Sequence, residues 1–114
     1  MSIDIRFQRQ LNLKEIEEKT NIRIKENKGI KFLSYNGSCL PIIDLDENGY
    51  FKSICQYGLN TLNKIMPIIV STFKVKFITD NELQFILYEQ MRGNEVDIDK
   101  LFDETTKKYG HDIE

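Results

Sequence analysis

The residues whose types and spacing come nearest to a known ligand pattern lie between Asp44 and Gly49, in the string DLDENG. Oxygen-bearing side chains recur through this string and a glycine stands sixth, as in the first half of an EF-hand calcium loop. The twelfth position of such a loop should supply a bidentate glutamate, but in this chain it is Cys55. The pattern therefore predicts a polar hairpin turn without a tight calcium site.

Nucleophilic or zinc chemistry would depend on the two cysteines, Cys39 and Cys55, and on the single histidine, His111. Three such groups are too few for a closed zinc site, and a nucleophilic thiol needs a nearby cation to stabilise its thiolate. We therefore predict two buried, reduced thiols and no metal or other cofactor. A small carboxylate-dependent enzyme is the catalytic alternative, because folding rather than sequence spacing brings such carboxylates together.

The element predicted to organise the fold is a long antiparallel hairpin between Ile68 and Met91, because apolar and polar residues alternate along both arms. A three-residue loop over 79–81 would bring the two apolar sets face to face. The alternative for the first arm is a kinked helix that continues past Pro67 through Thr72. The residues predicted to share the buried face are Phe73, Val75, Phe77, Leu83, Phe85 and Leu87.

Four short apolar segments upstream, separated by turn residues, predict an antiparallel meander. In its last hairpin, the matching of side-chain faces pairs Ile42 with Ile54 and places Gly49 in a left-handed conformation. The same register makes Cys39 and Cys55 diagonal neighbours, which does not favour a disulfide. The meander segments cover 22–25, 30–35, 39–45 and 50–55.

Helices are predicted around these strands. Asn12 is the expected cap of a short helix over 13–20, a second helix covers 57–66, and a third ends before Gly110. The predicted fold is α+β. It is a single domain over 1–114, with an antiparallel meander sheet of five to six strands, two or three packed helices and a frayed tail at 110–114.

The composition restricts the class of protein. With 114 residues, of which 30% are charged and 40% hydrophobic, the chain can bury one core without disulfides. The start of the chain has no apolar segment of the kind that signal peptides contain, and no apolar run is long enough to cross a membrane. These features predict a cytoplasmic protein without a membrane partner.

Two surfaces are predicted as candidates for partner binding. Both faces of the last meander hairpin carry apolar residues, so a helix, another protein or a second copy of the chain must cover one of them. The preferred site is this hairpin with its acidic turn, and its residues are Asp44, Asp46, Glu47 and Phe51. The second candidate is a strand face suited to charge and stacking contacts, formed by Lys74, Lys76 and Tyr88.

By elimination, the sequence predicts a non-enzymatic protein-binding domain of the kind found among small inhibitors, antitoxins, immunity proteins and assembly adaptors. Its expected partner is another protein, or itself in a homodimer. A nucleic-acid-binding module using Lys74 and Lys76 is the further alternative. The net charge of −2 and the lack of an RNA-binding signature disfavour it.

Overall fold

Six β-strands and five short helices make up the part of the chain that the structure, a computed structural model, describes. It describes residues 2–57 and 59–111, and the side chains of 3–52 and 61–111. The strands are β1 (Ser2–Asn12), β2 (Arg23–Asn27), β3 (Ile30–Tyr35), β4 (Ser38–Ile43), β5 (Tyr50–Tyr57) and β6 (Phe77–Thr79). The helices are α1 (Leu13–Lys19), α2 (Leu59–Lys64), α3 (Met66–Phe73), α4 (Asp80–Met91) and α5 (Ile98–Lys108). The predicted α+β class is confirmed.

The strands lie in the order β2-β3-β4-β5-β1-β6, and all neighbours are antiparallel. Two three-stranded halves, β2-β3-β4 and β5-β1-β6, are joined through the pairing of Ile42 with Ile54 and of Ile43 with Ser53. This register is the one predicted for the last meander hairpin. The prediction of one continuous meander does not match, because the N-terminal strand β1 lies between β5 and β6.

The strand β1 is irregular between Arg6 and Leu11, where its pairing with β5 shifts. It ends at Asn12, whose Oδ1 accepts a hydrogen bond from the backbone N–H of Lys14 at 3.0 Å. The Asn12 Nδ2 donates to the backbone carbonyl of Asn48 at 3.0 Å. The predicted cap of α1 is therefore confirmed, and the same side chain fastens the acidic turn to the start of this helix.

The long hairpin predicted from Ile68 to Met91 is wrong. Its first arm is the helix α3, its second arm is the helix α4, and only 77–79 form a strand. The alternative of a kinked helix describes the first arm. The helices α2 and α3 follow each other with a break at Ile65, and Pro67 stands in the first turn of α3. Proline suits that position because the first N–H groups of a helix have no partner within the helix.

The second arm is helical because the segment before it caps a helix instead of turning a hairpin. The Glu82 carboxylate accepts hydrogen bonds from the backbone N–H of Thr79 at 3.1 Å and from its hydroxyl at 2.9 Å. Asp80 and Glu82 also place negative charge at the positive end of the helix. The pattern Thr79-x-x-Glu82 is a capping-box signature, and it was the signal in the sequence that could have identified α4.

The six residues assigned to the buried face of that hairpin differ in burial, because they lie in different elements. Leu83 is half-buried, but Phe85 is 48% exposed and Leu87 is 60% exposed. The prediction that Phe85 and Leu87 are core residues is therefore wrong, because a helix cannot bury alternate positions on one face. The residues buried as predicted are Phe73, Val75 and Phe77.

The strand β6 connects a main core with a smaller cluster beneath α4 and α5. Phe77 belongs to the main core, and Ile78, on the other face of the strand, packs with Ile86 and Phe102. The edge of β6 is covered by α5, since the Thr106 hydroxyl accepts from the Phe77 N–H at 2.9 Å. The same hydroxyl lies 2.8 Å from the Phe102 carbonyl and can donate to it. The helix α5 thus closes an edge that could otherwise pair with another strand.

The C-terminal helix begins at Ile98, and the Asp97 carboxylate caps it by accepting from the Lys100 N–H at 3.1 Å. Phe102 and Thr105 on this helix are buried, whereas Ile98 is exposed. The tail predicted to fray over 110–114 is ordered at its start, because His111 is buried. The remainder of that prediction, 112–114, lies outside the described residues.

Candidate functional site

The acidic turn of the preferred site is organised around its own backbone. One oxygen of Asp46 accepts hydrogen bonds from the backbone N–H groups of Asn48 and Tyr50, both at 2.9 Å. Gly49 has a φ of 87°, the left-handed conformation predicted for it, and Asp44 is left-handed as well, at 55°. The Asp46 carboxylate therefore closes the turn. Among the described residues, no three His, Cys, Asp or Glu side chains form a group that could hold a metal ion.

Phe51, assigned to the same site, is not on the surface. Its side chain is 0% exposed, and its ring packs edge-on against Phe7 with 6.0 Å between centroids. Ile43 and Leu45 remain exposed beside the turn, and Glu47 is exposed at its tip. The surface predicted there is thus smaller than expected, because its aromatic residue belongs to the core. The side chain of Ile54 lies outside the part of the chain whose side chains the structure describes.

The second predicted surface, a strand face with two lysines and a tyrosine, does not form. Lys74 ends α3 in a left-handed conformation, with a φ of 52°. Lys76 forms an ion pair with Asp103 of α5 at 3.4 Å, and Tyr88 lies on α4. These residues occupy different elements because the two arms of the predicted hairpin are the helices α3 and α4. A hydrogen bond from Lys107, together with the charges of Lys107 and Lys76, holds the pKa of Asp103 below its usual value.

The structure describes the side chain of one of the two cysteines. Cys39 is a free thiol, and it is exposed instead of buried because its side chain points to the outer face of β4. The side chain of Cys55 lies outside the described part of the chain. The helices within the described residues are all too short or too polar to cross a membrane.

An apolar surface that the sequence did not predict lies on α4. Among the side chains that the structure describes, nine large apolar residues are exposed, and four of them belong to this one helix of 12 residues. Ile86 is its only buried residue. At 100° per residue, the four exposed side chains fall on the half of the helix that faces away from Ile86. We call this surface the α4 face, and its residues are Phe85, Leu87, Tyr88 and Met91.

Exposure is greatest at the centre and C-terminal end of the α4 face. Met91 is 87% exposed, and it stands one turn after Leu87, so the two side chains are neighbours. Tyr88 lies beside them, and the guanidinium of Arg92 sits 5.6 Å from the centre of its ring. An exposed apolar cluster on one helix is what a docking surface requires.

A groove borders the α4 face on the side of α5. It is open to solvent, has a volume of about 290 Å³ and lies between α4, the turn after it and α5. Apolar side chains from all three segments line it, with carboxylates around them. We call it the α4–α5 groove; its apolar residues are Phe85, Val96 and Leu101, and its glutamates are Glu89, Glu95 and Glu104.

The charge of this region differs from that of the rest of the chain. Between Asp80 and Glu104 there are eight acidic and two basic residues, a net charge of −6. The whole chain carries −2, so the remaining residues carry +4. The α4 face and the α4–α5 groove therefore lie in a strongly acidic setting.

Another unassigned feature is the buried histidine. His111 is the single histidine of the chain; it is buried, and its ring centroid lies 5.6 Å from that of Phe77. Burial lowers its pKa, and a hydrogen bond with the backbone of Leu62 opposes this to a smaller extent. Its Nε2 has no hydrogen-bond partner among the described residues.

This histidine predicts a pH dependence of stability. In the unfolded chain His111 has its ordinary pKa of 6.5, so below that pH the unfolded state takes up a proton that the folded state does not. The free energy of unfolding should have its full value above this pH. It should fall as the pH is lowered toward the pKa of His111 in the folded protein, by at most about 1.4 kcal/mol per pH unit. Urea denaturation between about pH 5 and 7.5 should show this slope, and His111→Phe should remove it. Parallel pH profiles for the two proteins would contradict the prediction.

Comparison of the chain with protein-family models, with curated proteins and with solved structures finds no significant match.

Proposed function

We propose that this chain is a non-enzymatic protein-binding domain and that the α4 face is its docking surface. The observation that supports this most is that α4 buries Ile86 alone while it holds four large apolar side chains in water. Leaving this area in water stabilises nothing in the isolated chain. Covering apolar area contributes about 25 cal/mol per Å², so a partner that packs on the face would gain affinity from it.

The charge of the region indicates the class of partner. A twofold contact between two copies would bring the same surface together with itself, and the segment from Asp80 to Glu104, which contains this surface, carries a net charge of −6. Nucleic acid and anionic lipid would be repelled in the same way. A different protein with a basic surface is therefore the favoured partner.

The alternatives have less support. Lys74, Lys76 and Tyr88 do not share one strand face, so the nucleic-acid proposal loses its geometric basis. The groove carboxylates Glu95 and Glu104 are exposed. A catalytic pair of carboxylates needs surroundings that give its two members different pKa values, so the enzyme alternative has little support here. Within protein binding, an inhibitor, antitoxin, immunity protein or assembly adaptor each fits a small domain with one exposed helical face.

The test of this proposal is a double substitution, Leu87→Ser with Met91→Ser, in a capture experiment with an extract of the source cells. Both side chains are exposed, so the thermal midpoint should remain close to that of the wild type. Loss of two central apolar contacts should reduce recovery of the partner by roughly tenfold or more. Quantitative mass spectrometry of the captured proteins measures the effect.

Ile30→Ser is the matched control, because Ile30 is 57% exposed and lies on the hairpin of β2 and β3, at the opposite edge of the sheet from β6. This variant should retain the partner. If the double variant retains the same proteins as the wild type, or if the control variant loses them equally, the α4 face is not the docking surface.

A further inference from the structure

We infer that the partner segment that enters the α4–α5 groove is a basic amphipathic helix. This inference rests on the proposed function and specifies the chemistry of the partner. Three features of the groove carry it: an apolar lining on a fixed base, carboxylates on both helices around that lining, and walls without an open strand edge.

The apolar lining rests on a fixed base. Val96 and Leu101 pack against the small cluster formed by Ile78, Ile86 and Phe102, and Phe85 lines the groove from α4. Val96 and Leu101 are only half-buried there, so part of each side chain remains available. An apolar side chain of a partner can enter this groove without first opening the fold, which reduces the free energy spent on reorganisation.

The carboxylates flank the lining from two sides. Glu89 lies on α4, and its carboxylate accepts a hydrogen bond from the Asn94 side chain at 2.6 Å. Glu104 lies on α5, in a loose ion pair with Lys100 at 3.8 Å, and Glu95 lies on the segment between the helices. Lysine or arginine side chains on either side of an inserted apolar residue would therefore meet carboxylates on both helices and on the segment between them.

The walls of the groove favour a helix as the occupant. An extended peptide gains affinity by adding to an open strand edge, but the nearest edge, that of β6, is covered by Thr106 of α5. The groove is formed by two helices and offers side chains. A partner helix with apolar residues three and four positions apart matches such a groove.

The described part of the chain offers no basic amphipathic helix that could act as this segment. Its basic residues before α2 include Arg23, Lys25, Lys28 and Lys31, which lie on the hairpin of β2 and β3. The described helix α1 holds three glutamates and two lysines, so it is not basic. We therefore assign the segment to a different protein.

Binding of designed peptides to the intact domain tests the inference. The probes are amphipathic Lys/Leu helices of about 14 residues, or four turns, the same peptides with Glu in place of Lys, and shuffled Lys/Leu peptides of equal composition. Fluorescence anisotropy should show binding by the ordered Lys/Leu peptides alone, with affinity that falls steeply between about 50 and 300 mM salt. Phe85→Ser should abolish this binding.

Removal of the rim charges should weaken the same binding. Glu95→Gln with Glu104→Gln is expected to lower affinity by about three- to tenfold at low salt. Glu18→Gln with Glu26→Gln, two exposed glutamates on α1 and β2, is the matched control and should bind as the wild type does. Equal binding of the Glu/Leu peptides, or equal effects of the two double variants, would overturn the inference.

The outcomes separate this inference from the proposed function. If no Lys/Leu peptide binds better than its shuffled form, although Leu87→Ser with Met91→Ser loses the cellular partner, the helix class is wrong and the docking surface stands. If that double variant keeps its partner, the docking surface is wrong.

Discussion

Replacing Phe77 by alanine is expected to lower the free energy of unfolding by about 3–5 kcal/mol, whereas the same replacement at Phe85 should lower it by about 1 kcal/mol or less. Phe77 is fully buried, and its ring lies 5.9 Å from that of Tyr109 and 5.6 Å from that of His111, measured between centroids. The truncation would leave a cavity where β6 meets α5. Phe85 is about half in water, so its loss removes little buried area.

Urea denaturation of the two variants measures this difference directly, because both substitutions remove the same phenyl ring. The long hairpin predicted between Ile68 and Met91 would have made both residues core residues, with equal and large losses. Comparable destabilisation by Phe77→Ala and Phe85→Ala would therefore contradict the helical structure of α4.

Phe51→Ala is the second substitution with a large expected effect, again about 3–5 kcal/mol. The sequence placed Phe51 on a binding surface beside the acidic turn, but its side chain is fully buried against Phe7. Leu45→Ala in the same turn is the matched comparison, since Leu45 is exposed. Its effect should stay within about 1 kcal/mol.

Thermal and urea unfolding of both variants decide between a core role and a contact role for Phe51. A protein with Phe51→Ala that unfolds at the wild-type midpoint would contradict the packing of Phe51 on Phe7. A large loss from Leu45→Ala would instead show that the acidic turn carries part of the core.

The succession of neighbouring strands from β2 to β5 could be predicted because several local signals agreed there. Gly49 stands at a position with positive φ, and the apolar faces of β4 and β5 match only in the register that pairs Ile42 with Ile54. The cap of α1 was equally local, since Asn12 and the apolar pair Leu13 and Ile16 fix where this helix starts and which side it buries. Such signals need no knowledge of distant contacts.

The segment from 66 to 91 could not be assigned in the same way, because each of its two helices has a sequence feature that is typical of strands. The helix α3 contains the β-branched run Ile68-Ile69-Val70 and packs inside the main core, so tertiary burial outweighs its strand propensity. The helix α4 exposes Phe85 and Leu87, and these apolar residues produce the alternation of a half-buried strand.

The candidate site was missed for the same reason that α4 was missed. An apolar residue is assigned to the core by default, and Leu87 is apolar but exposed. The capping pattern Thr79-x-x-Glu82 would have predicted a helix here, and its apolar residues would then have lain all around the helix axis, with some of them outside the core. An apolar side chain on the helix face that does not pack on the core is a sequence signal for a docking surface.

The central claim is that a partner protein packs on the α4 face, and site-specific photocrosslinking tests it most directly. A photoreactive amino acid replaces Met91 in one variant and Ile30 in another; both side chains are highly exposed, and they lie on α4 and β3. We predict that position 91 crosslinks to a single partner and that position 30 does not. Crosslinking to that partner from position 30 alone, or equally from both positions, would contradict the account.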